Sequence, residues 1–414
     1  MQEALLREIS ESYLLPFFSG AKIGAASILS DSRDKTVSFI NPQVIGFKVD
    51  KTDNYRIQFK REQSFAQKDT PAREDNVIKA FTEILGDMSN ELTGPLKGDL
   101  LSIFQRRVVA RAVADEDSEA AVLAVIDQLS AWATRLYEGA PISSAIGILP
   151  ETAPDLTLTL SDFASHDFGA VLSNGFDTLL EFSQDLKFVR HAVVGIDDAI
   201  AVSYCPWRNT AIAQWTMIEP RRIAIVLNRL GEILIFRQGQ LLFARRSGTW
   251  HFLTHEPIIR QMHIPRDQAV RKAVYETALD ASFSRTGACI GVVSSDLSTE
   301  IARVVTQADL IETDGSAKTA AIRQIIAGRN FQDLPRTLRQ ELVAIDGSTV
   351  ISHTGKVIAV GAILKINGGS TSGGRTAAAN RLSEIGLGVK VSQDGSILGF
   401  LHKKKSGPTT FRVM

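Results

Sequence analysis

Residues 341–400 read ELVAIDGSTVISHTGKVIAVGAIL (341–364), KINGGSTSGGRTAAANRLSEIG (365–386) and LGVKVSQDGSILGF (387–400). Two strands form a hairpin, a Gly/Ser/Thr loop follows, a helix begins at Arg375, and a second hairpin closes the unit. An isolated carboxylate, Asp346, falls one strand away from the loop. The pairing of a carboxylate with a loop able to hold phosphate underlies the functional reading.

Each half of that pairing has two readings. Asp346 precedes Gly347 and Ser348. A glycine there lets a second backbone or a ligand approach closely. The carboxylate then suits a divalent ion, or takes a proton from a ribose hydroxyl. The competing reading is an Asp-Gly turn in which the side chain caps its own backbone. The loop 367–374 holds four glycines, two serines and a threonine in eight positions. Its N–H groups can converge on anionic oxygens, the next helix adds its N-terminal partial charge, and Arg375 adds a planar donor. The competing reading is a flexible hairpin connection, and by itself the loop is a weak signal. It matches neither the dinucleotide fingerprint nor the Lys-Ser/Thr phosphate loop.

Outward from this unit the chain is ordinary for a globular protein. Of 414 residues, 44% are hydrophobic and 22% charged, and 46 Lys+Arg balance 46 Asp+Glu. That balance excludes a global charge excess directed at nucleic acid or an anionic membrane. Cys205 and Cys289, the only cysteines, are read as reduced and buried, since two cannot build a structural zinc site. The opening MQEALLREISESYLLPFFSG lacks a basic stretch ahead of an apolar core, so no signal peptide is expected. No run of about 18 apolar residues suits a membrane span. A cytoplasmic location is the expectation.

The expected fold class is α/β in the broad α+β sense, in three parts. Residues 1–140 form an α+β region: a short helix ended by Pro16, strands within 21–60, a polar loop over 61–75, and helices from 76 to about 137. Val122, Ile126, Leu129, Trp132 and Leu136 share one stripe of the last helix, which Gly139 is expected to stop. Residues 141–264 are mixed and β-rich. HAVVGID, AIAVSYC and RRIAIVLN are strand candidates, and GEILIF and QLLFARR flank a glycine turn at Arg237-Gln238-Gly239. Residues 265–414 begin with Pro265 and a helix ending near Arg285, then TGACIGVVSS as a buried strand. Helical patterns recur over 298–329 and 335–343. The lysine-bearing tail 402–410 reads as a solvated end. His251, His255 and His263 are read as scattered, because Pro257 interrupts a helix that would align them. Trp207, Trp215 and Trp250 are read as core.

From about Asp267 to Phe400 the chain resembles the diadenylate cyclase (DAC) domain family, which joins two ATP molecules into cyclic di-AMP. The resemblance rests on five short motifs in order. A helix leads into Arg285-Thr286-Gly287-Ala288. Asp346-Gly347-Ser348, where the family has D-G-A, follows QELVAI. The strand pair GKVIAVGAIL comes next. Gly373-Gly374-Arg375-Thr376-Ala377-Ala378-Ala379 then precedes Leu382-Ser383-Glu384, where the family has G-T-R-H-R-A-A ahead of L-S-E. Val391-Ser392-Gln393-Asp394-Gly395 closes the set. The resemblance implies a mixed β-sheet flanked by helices, with a helical insertion near 300–335.

It also implies roles. Gly373, Gly374, Arg375 and Thr376 would hold phosphate, and Asp346 would touch sugar or metal. Thr286, Gly287 and Ala288 would line the pocket beside the base, and Gly347, Ser348 and Ser392 would complete it. The family's histidine and second arginine, which serve the triphosphate and its metal, are here Thr376 and Ala377. Loss of one such donor costs on the order of 100- to 1000-fold in rate. The expectation is therefore a nucleotide-binding sensor similar to an eroded cyclase of the sensor-type DAC-like domains, with ATP or a signalling nucleotide as ligand. A working cyclase is the alternative. It would need Mg²⁺ or Mn²⁺ at Asp346, which would be its catalytic residue, and a homodimer bringing two sites face to face. A third reading is an interaction protein without ligand.

Overall fold

The computed structural model describes residues 3–24, 27–28, 36–49, 55–66, 73–88, 91–92, 97–115, 117–202, 204–265, 267–294, 298–313, 316–365, 373–401 and 409–414. The chain divides into two compact units, one of residues 1–61 with 65–254 and one of residues 62–64 with 255–414. It is a mixed α/β protein, with helices and both antiparallel and parallel strand pairs.

The first unit holds a five-stranded sheet within residues 22–60, the helices Glu74–Asp87, Lys97–Val113 and Glu119–Trp132, and a seven-stranded sheet. One apolar core runs through it, from Leu6 and Phe17 to Phe243 and Trp250. The glycine-turn hairpin at 233–246 forms as its sequence requires. Gln238 and Gly239 both take positive φ (51° and 74°), the geometry of a two-residue turn matched to strand twist.

Three local expectations fail here. The helix carrying Val122, Ile126 and Leu129 ends at Trp132, not at Gly139. Glu138 and Gly139, at φ 49° and 80°, instead turn a small hairpin between Leu136–Tyr137 and Ala140–Pro141, which leaves Leu136 65% exposed. The apolar run AIAVSYC forms no strand among its described residues. The chain at its start is held by the buried Gln214 amide, which donates to the carbonyls of Asp197 (2.8 Å), just before the run, and Ile200 (2.7 Å) and accepts from Asp197 N–H. Two strands unread in the sequence, Ser144–Ile148 and Thr178–Phe182, pair in parallel inside the seven-stranded sheet. Trp215 and Trp250 are core, and Trp215 Nε1 donates to Glu181 at 2.8 Å.

The second unit is built on six strands: β1 (Ala288–Val293), β2 (Ser348–Ser352), β3 (Val357–Ala362), β4 (Gly386–Val391), β5 (Ile397–Leu401) and β6 (Thr409–Val413). Their order is β3-β2-β1-β4-β5-β6, antiparallel throughout except for the parallel pair β1–β2, in which Ile290 faces Thr349. A parallel pair needs a long crossover. The chain supplies it as the helices Ser298–Val304, Ala317–Ile326 and Arg336–Ala344, the helical insertion expected from the sequence. Part of that insertion runs along β3, with bridges from Val305 to Leu364 and from Leu310 to Ala359, so the sheet edge is covered. The solvated-end reading fails for the last two residues of 402–410, which enter β6 with Thr410 fully buried; the lysines on which it rested lie outside the described residues. Residues 402–408 of that segment, and 366–372 of the glycine loop, lie outside the described residues.

Helix α1 (His255–Gln261) carries Pro257 in its first turn, where a missing N–H costs nothing, so proline does not interrupt it. The three histidines remain scattered, since His251 sits in the strand Thr249–Phe252 and His255 hydrogen-bonds Tyr275 Oη at 2.6 Å. Helix α2 (Gln268–Phe283) is capped by Asp267, which accepts from Ala269 N–H at 2.8 Å. The crossover helix 336–344 docks on α2 through two Arg–carboxylate contacts. Arg336 forks onto the buried Asp280 at 2.7 and 3.1 Å, and Arg339 reaches Glu276 at 2.9 Å. Burial works to lower the Arg339 guanidinium pKa, and Glu276 works against it.

Candidate functional site

The position of the site follows from how closely one helix lies on the sheet. The helix Gly374–Ser383 packs on β1 and β4. It sits over positions that have no side chain: a Cβ at Gly388 would stand 2.0 Å from the Ala379 carbonyl oxygen, and one at Gly291 would stand 2.6 Å from Leu382 Cδ2. The sequences ACIGVV and GLGVKV thus leave a shallow trough, into which the helix sets Ala379 and Leu382. The helix runs in the same direction as β1, so its N-terminus lies where β1 begins.

That end of the sheet gathers most of the residues singled out by sequence. The first intrahelical bond runs from Ala377 N–H to the Gly373 carbonyl (3.1 Å), so the N–H groups of Gly374, Arg375 and Thr376 precede it. Gly373 takes φ 82° at the cap. Beneath the first turn the Arg375 guanidinium lies over Gly287, itself at φ 67°. Ala288 pairs with Val391, which brings the Ser392 turn alongside. The result is an open cleft of about 240 Å³ lined by Gly373, Gly374, Arg375, Thr376, Lys390, Ser392 and Gln393.

Two of those lining residues, Lys390 and Gln393, were not identified from sequence. Lys390 sits near the end of a strand whose neighbours are all buried, which hid its proximity to the helix terminus. Its register partner Cys289, one residue past the Arg285-Thr286-Gly287-Ala288 motif, is the signal that places it here. Asp394 follows Gln393, and its carboxyl is held below the usual carboxylate range. The Ser396 N–H is the first cause, acting against partial burial, with the Ser396 hydroxyl and the charges of Lys390 and Arg285 adding to it. Asp394 accepts from both Ser396 groups at 2.9 Å.

The motif Asp346-Gly347-Ser348 lies at the same end of the sheet, at the start of β2. Cys289 connects it to the cleft: its thiol is 4.0 Å from the Arg375 carbonyl oxygen and hydrogen-bonds the Ser348 side chain. Burial pushes that thiol up to about 11, against the lowering effects of Ser348 and Arg375. It therefore stays protonated and is a packing group rather than a nucleophile. Gly347, at φ 108°, admits the backbone of β3: a Cβ there would stand 2.6 Å from the Gly361 carbonyl carbon. The close approach anticipated at 347 is thus made by the protein's own chain. Asp346 is exposed, and two residues of chain, about 7 Å at full extension, separate it from buried Ser348. It is not among the residues lining the cleft.

Beside the turn that carries Asp346, at the Gly361 carbonyl, stands a second polar group. Lys318 Nζ donates to Asp309 Oδ1 (2.6 Å) and to the Gly361 carbonyl (3.0 Å), and Asp309 also accepts from Thr306 Oγ1 (2.8 Å) and Ile363 N–H (3.1 Å). Burial works to raise the Asp309 carboxyl, but Lys318, Thr306 and Ile363 hold it below the usual range.

The remaining expected residues divide. Thr286 serves the end of α2, its N–H bonding the Ala281 carbonyl at 3.3 Å and its hydroxyl 3.5 Å from the same oxygen. Ala288 and Ser348 are buried, at 2% and 1% exposure. Gly287 contributes the surface on which Arg375 rests. The arrangement thus offers a cationic, donor-rich cleft, with a separate exposed carboxylate at the same sheet end.

No family model matches the chain, and no curated protein matches it. Among solved structures, it is similar over part of its length to a double mutant of DacA from Staphylococcus aureus. The identity there is 19%, covering 33% of this chain and 83% of that one, with a TM-score of 0.23. It is also similar to a hypothetical membrane spanning protein from Bacillus cereus, at 16% identity over 38% of this chain and 74% of that one, with a TM-score of 0.24. Among the described residues of the present chain, no helix is long and apolar enough to cross a membrane.

Proposed function

We propose that the second unit binds a nucleotide, an adenine or signalling nucleotide, and works as a sensor rather than a catalyst. The observation that carries this reading is the shared cleft of Arg375, Lys390 and the first turn of the helix Gly374–Ser383. Two cations, two hydroxyls, a side-chain amide and helix N–H groups on one concave surface match the donor needs of a phosphate. Arg375 is pre-positioned, because its guanidinium rests on Gly287 rather than extending into solvent.

The absence of turnover is supported by the two positions that follow Arg375. Thr376 offers only a neutral hydroxyl. Ala377 faces the sheet, at 9% exposure, so no second guanidinium stands on this helix turn to receive a departing pyrophosphate.

Titration calorimetry of the full chain against ATP, GTP and cyclic di-AMP tests the reading. Binding of at least one of them, weakened about tenfold or more by Arg375→Ala, is the expected result. Absence of heat with all three at millimolar concentration removes the reading. Incubation with labelled ATP and Mn²⁺ tests the sensor half. The expected outcome is no cyclic dinucleotide, and product that disappears in Asp346→Ala would establish a working cyclase instead.

A further inference from the structure

We infer that the Arg375 cleft takes its phosphate ligand without a divalent metal ion. The inference rests on the nucleotide-binding reading above and narrows it to the chemical form of the ligand, the free phosphate anion rather than its metal chelate.

The donor set is the reason. A hard divalent ion seeks oxygen ligands, and at nucleotide sites it is usually held by one or two carboxylates together with the phosphates. The described lining of this cleft has no carboxylate: it offers Arg375, Lys390, Thr376, Ser392, Gln393 and two glycines. The adjoining residues 366–372 read Ile-Asn-Gly-Gly-Ser-Thr-Ser and bring no acid by sequence. Asp394, next in the chain, is not among the lining residues; its Oδ1 accepts from the Ser396 N–H and hydroxyl, and it lies in the field of Lys390 and Arg285.

The carboxylates at the far side of the sheet end do not supply a metal site either. Asp309 is held by Lys318, Thr306 and the Ile363 N–H. Lys318 also donates to Gly361, whose carbonyl carbon is close to Gly347. An ammonium thus already stands beside the turn that carries Asp346. Among the described residues, no three His, Cys, Asp or Glu side chains come together as metal ligands. The described lining of the cleft therefore lacks the carboxylate by which Mg²⁺ or Mn²⁺ would be held beside a phosphate.

Charge balance leads to the same conclusion. At a nucleotide site the metal offsets phosphate charge. Here Arg375 and Lys390 put two fixed positive charges on one cleft, enough for a terminal dianionic phosphate, and they repel a divalent ion brought alongside. Lys390 comes from β4 rather than from the helix. It supplies from the sheet the second charge that Ala377 does not.

The test is calorimetry of the full chain with ATP, GTP and cyclic di-AMP, once in EDTA and once in excess MgCl₂, with Lys390→Met and Lys390→Arg in parallel. For whichever nucleotide binds, affinity in EDTA should equal or exceed that in MgCl₂. Lys390→Met should weaken binding about tenfold in both buffers and Lys390→Arg should restore it. Circular dichroism of each variant should show an intact fold. Affinity that is about tenfold higher with MgCl₂ overturns the metal-free inference and leaves nucleotide binding standing. Lys390→Met that is folded and binds as wild type also overturns it. No binding of ATP, GTP or cyclic di-AMP in either buffer overturns the nucleotide reading itself, and the inference with it.

Discussion

The Arg375 guanidinium lies directly on the backbone of Gly287: a Cβ built at 287 would stand 2.6 Å from Nη1 and 2.7 Å from Cζ. No real Cβ tolerates that distance, so the arginine's position depends on a residue 88 positions earlier in the chain having no side chain. Gly287 also takes φ 67°, which an L-residue adopts only with strain.

Gly287→Ala is therefore expected to lower nucleotide affinity by displacing Arg375, at a stability cost of only about 1 kcal/mol. The decisive measurement is a double-mutant cycle. Once Arg375 is alanine, the Gly287 substitution should have little further effect on affinity. Independent, additive losses would show that Gly287 does not position the arginine.

Gly388→Ala should be far more damaging to stability. Its Cβ would stand 2.0 Å from the Ala379 carbonyl oxygen and 2.7 Å from the carbonyl carbon, both backbone atoms that cannot rotate away. The helix Gly374–Ser383 must lift off β4, and overpacking of this kind costs about 1–3 kcal/mol. Urea unfolding of the full chain should show the loss, and nucleotide affinity should fall with it because the helix N-terminus moves. Unchanged stability would mean that the helix does not sit on this strand.

The first unit should lose stability as pH falls from about 6.5 to about 4. His251 is pushed down to about 4, chiefly by burial and then by the charge of Arg246. In that window an unfolded chain has a protonated histidine while the folded chain keeps it neutral. The unfolded state therefore binds more protons, and stability falls with pH until both forms are protonated, below about 4. The whole effect is at most about 3 kcal/mol. Thermal melting of His251→Gln should show a shallower decline across the window, and an identical decline would place the pH dependence elsewhere.

How much of this was legible in sequence depended on whether the determining contacts were local. The 233–246 hairpin was readable because Gln238 and Gly239 encode their own turn, and the helix at Arg375 because glycines precede it. The parallel partnership of 288–293 with 348–352 spans a crossover of more than fifty residues, and no local signal specifies it; the resemblance implied only a mixed sheet. Glu138-Gly139 looked like a helix stop because a glycine after an apolar stripe signals either a C-cap or a turn, and the positive φ at Glu138 decides between them. AIAVSYC had the composition of a strand, but its Ile200 carbonyl is taken by the Gln214 side chain and its Tyr204 carbonyl by the Leu241 N–H. Lys390 escaped notice because only antiparallel register carries it to the helix N-terminus, and Gln393 stands in a motif that assigns it no role.

The most direct test of the account is a crystal structure of the full chain with a bound nucleotide, ATP or cyclic di-AMP. The prediction is a phosphate within hydrogen-bonding distance of the Arg375 guanidinium and the N–H groups of residues 374–376, with Lys390 Nζ on the same phosphate. A nucleotide whose phosphates lie away from Arg375, or whose base occupies this cleft, would contradict it.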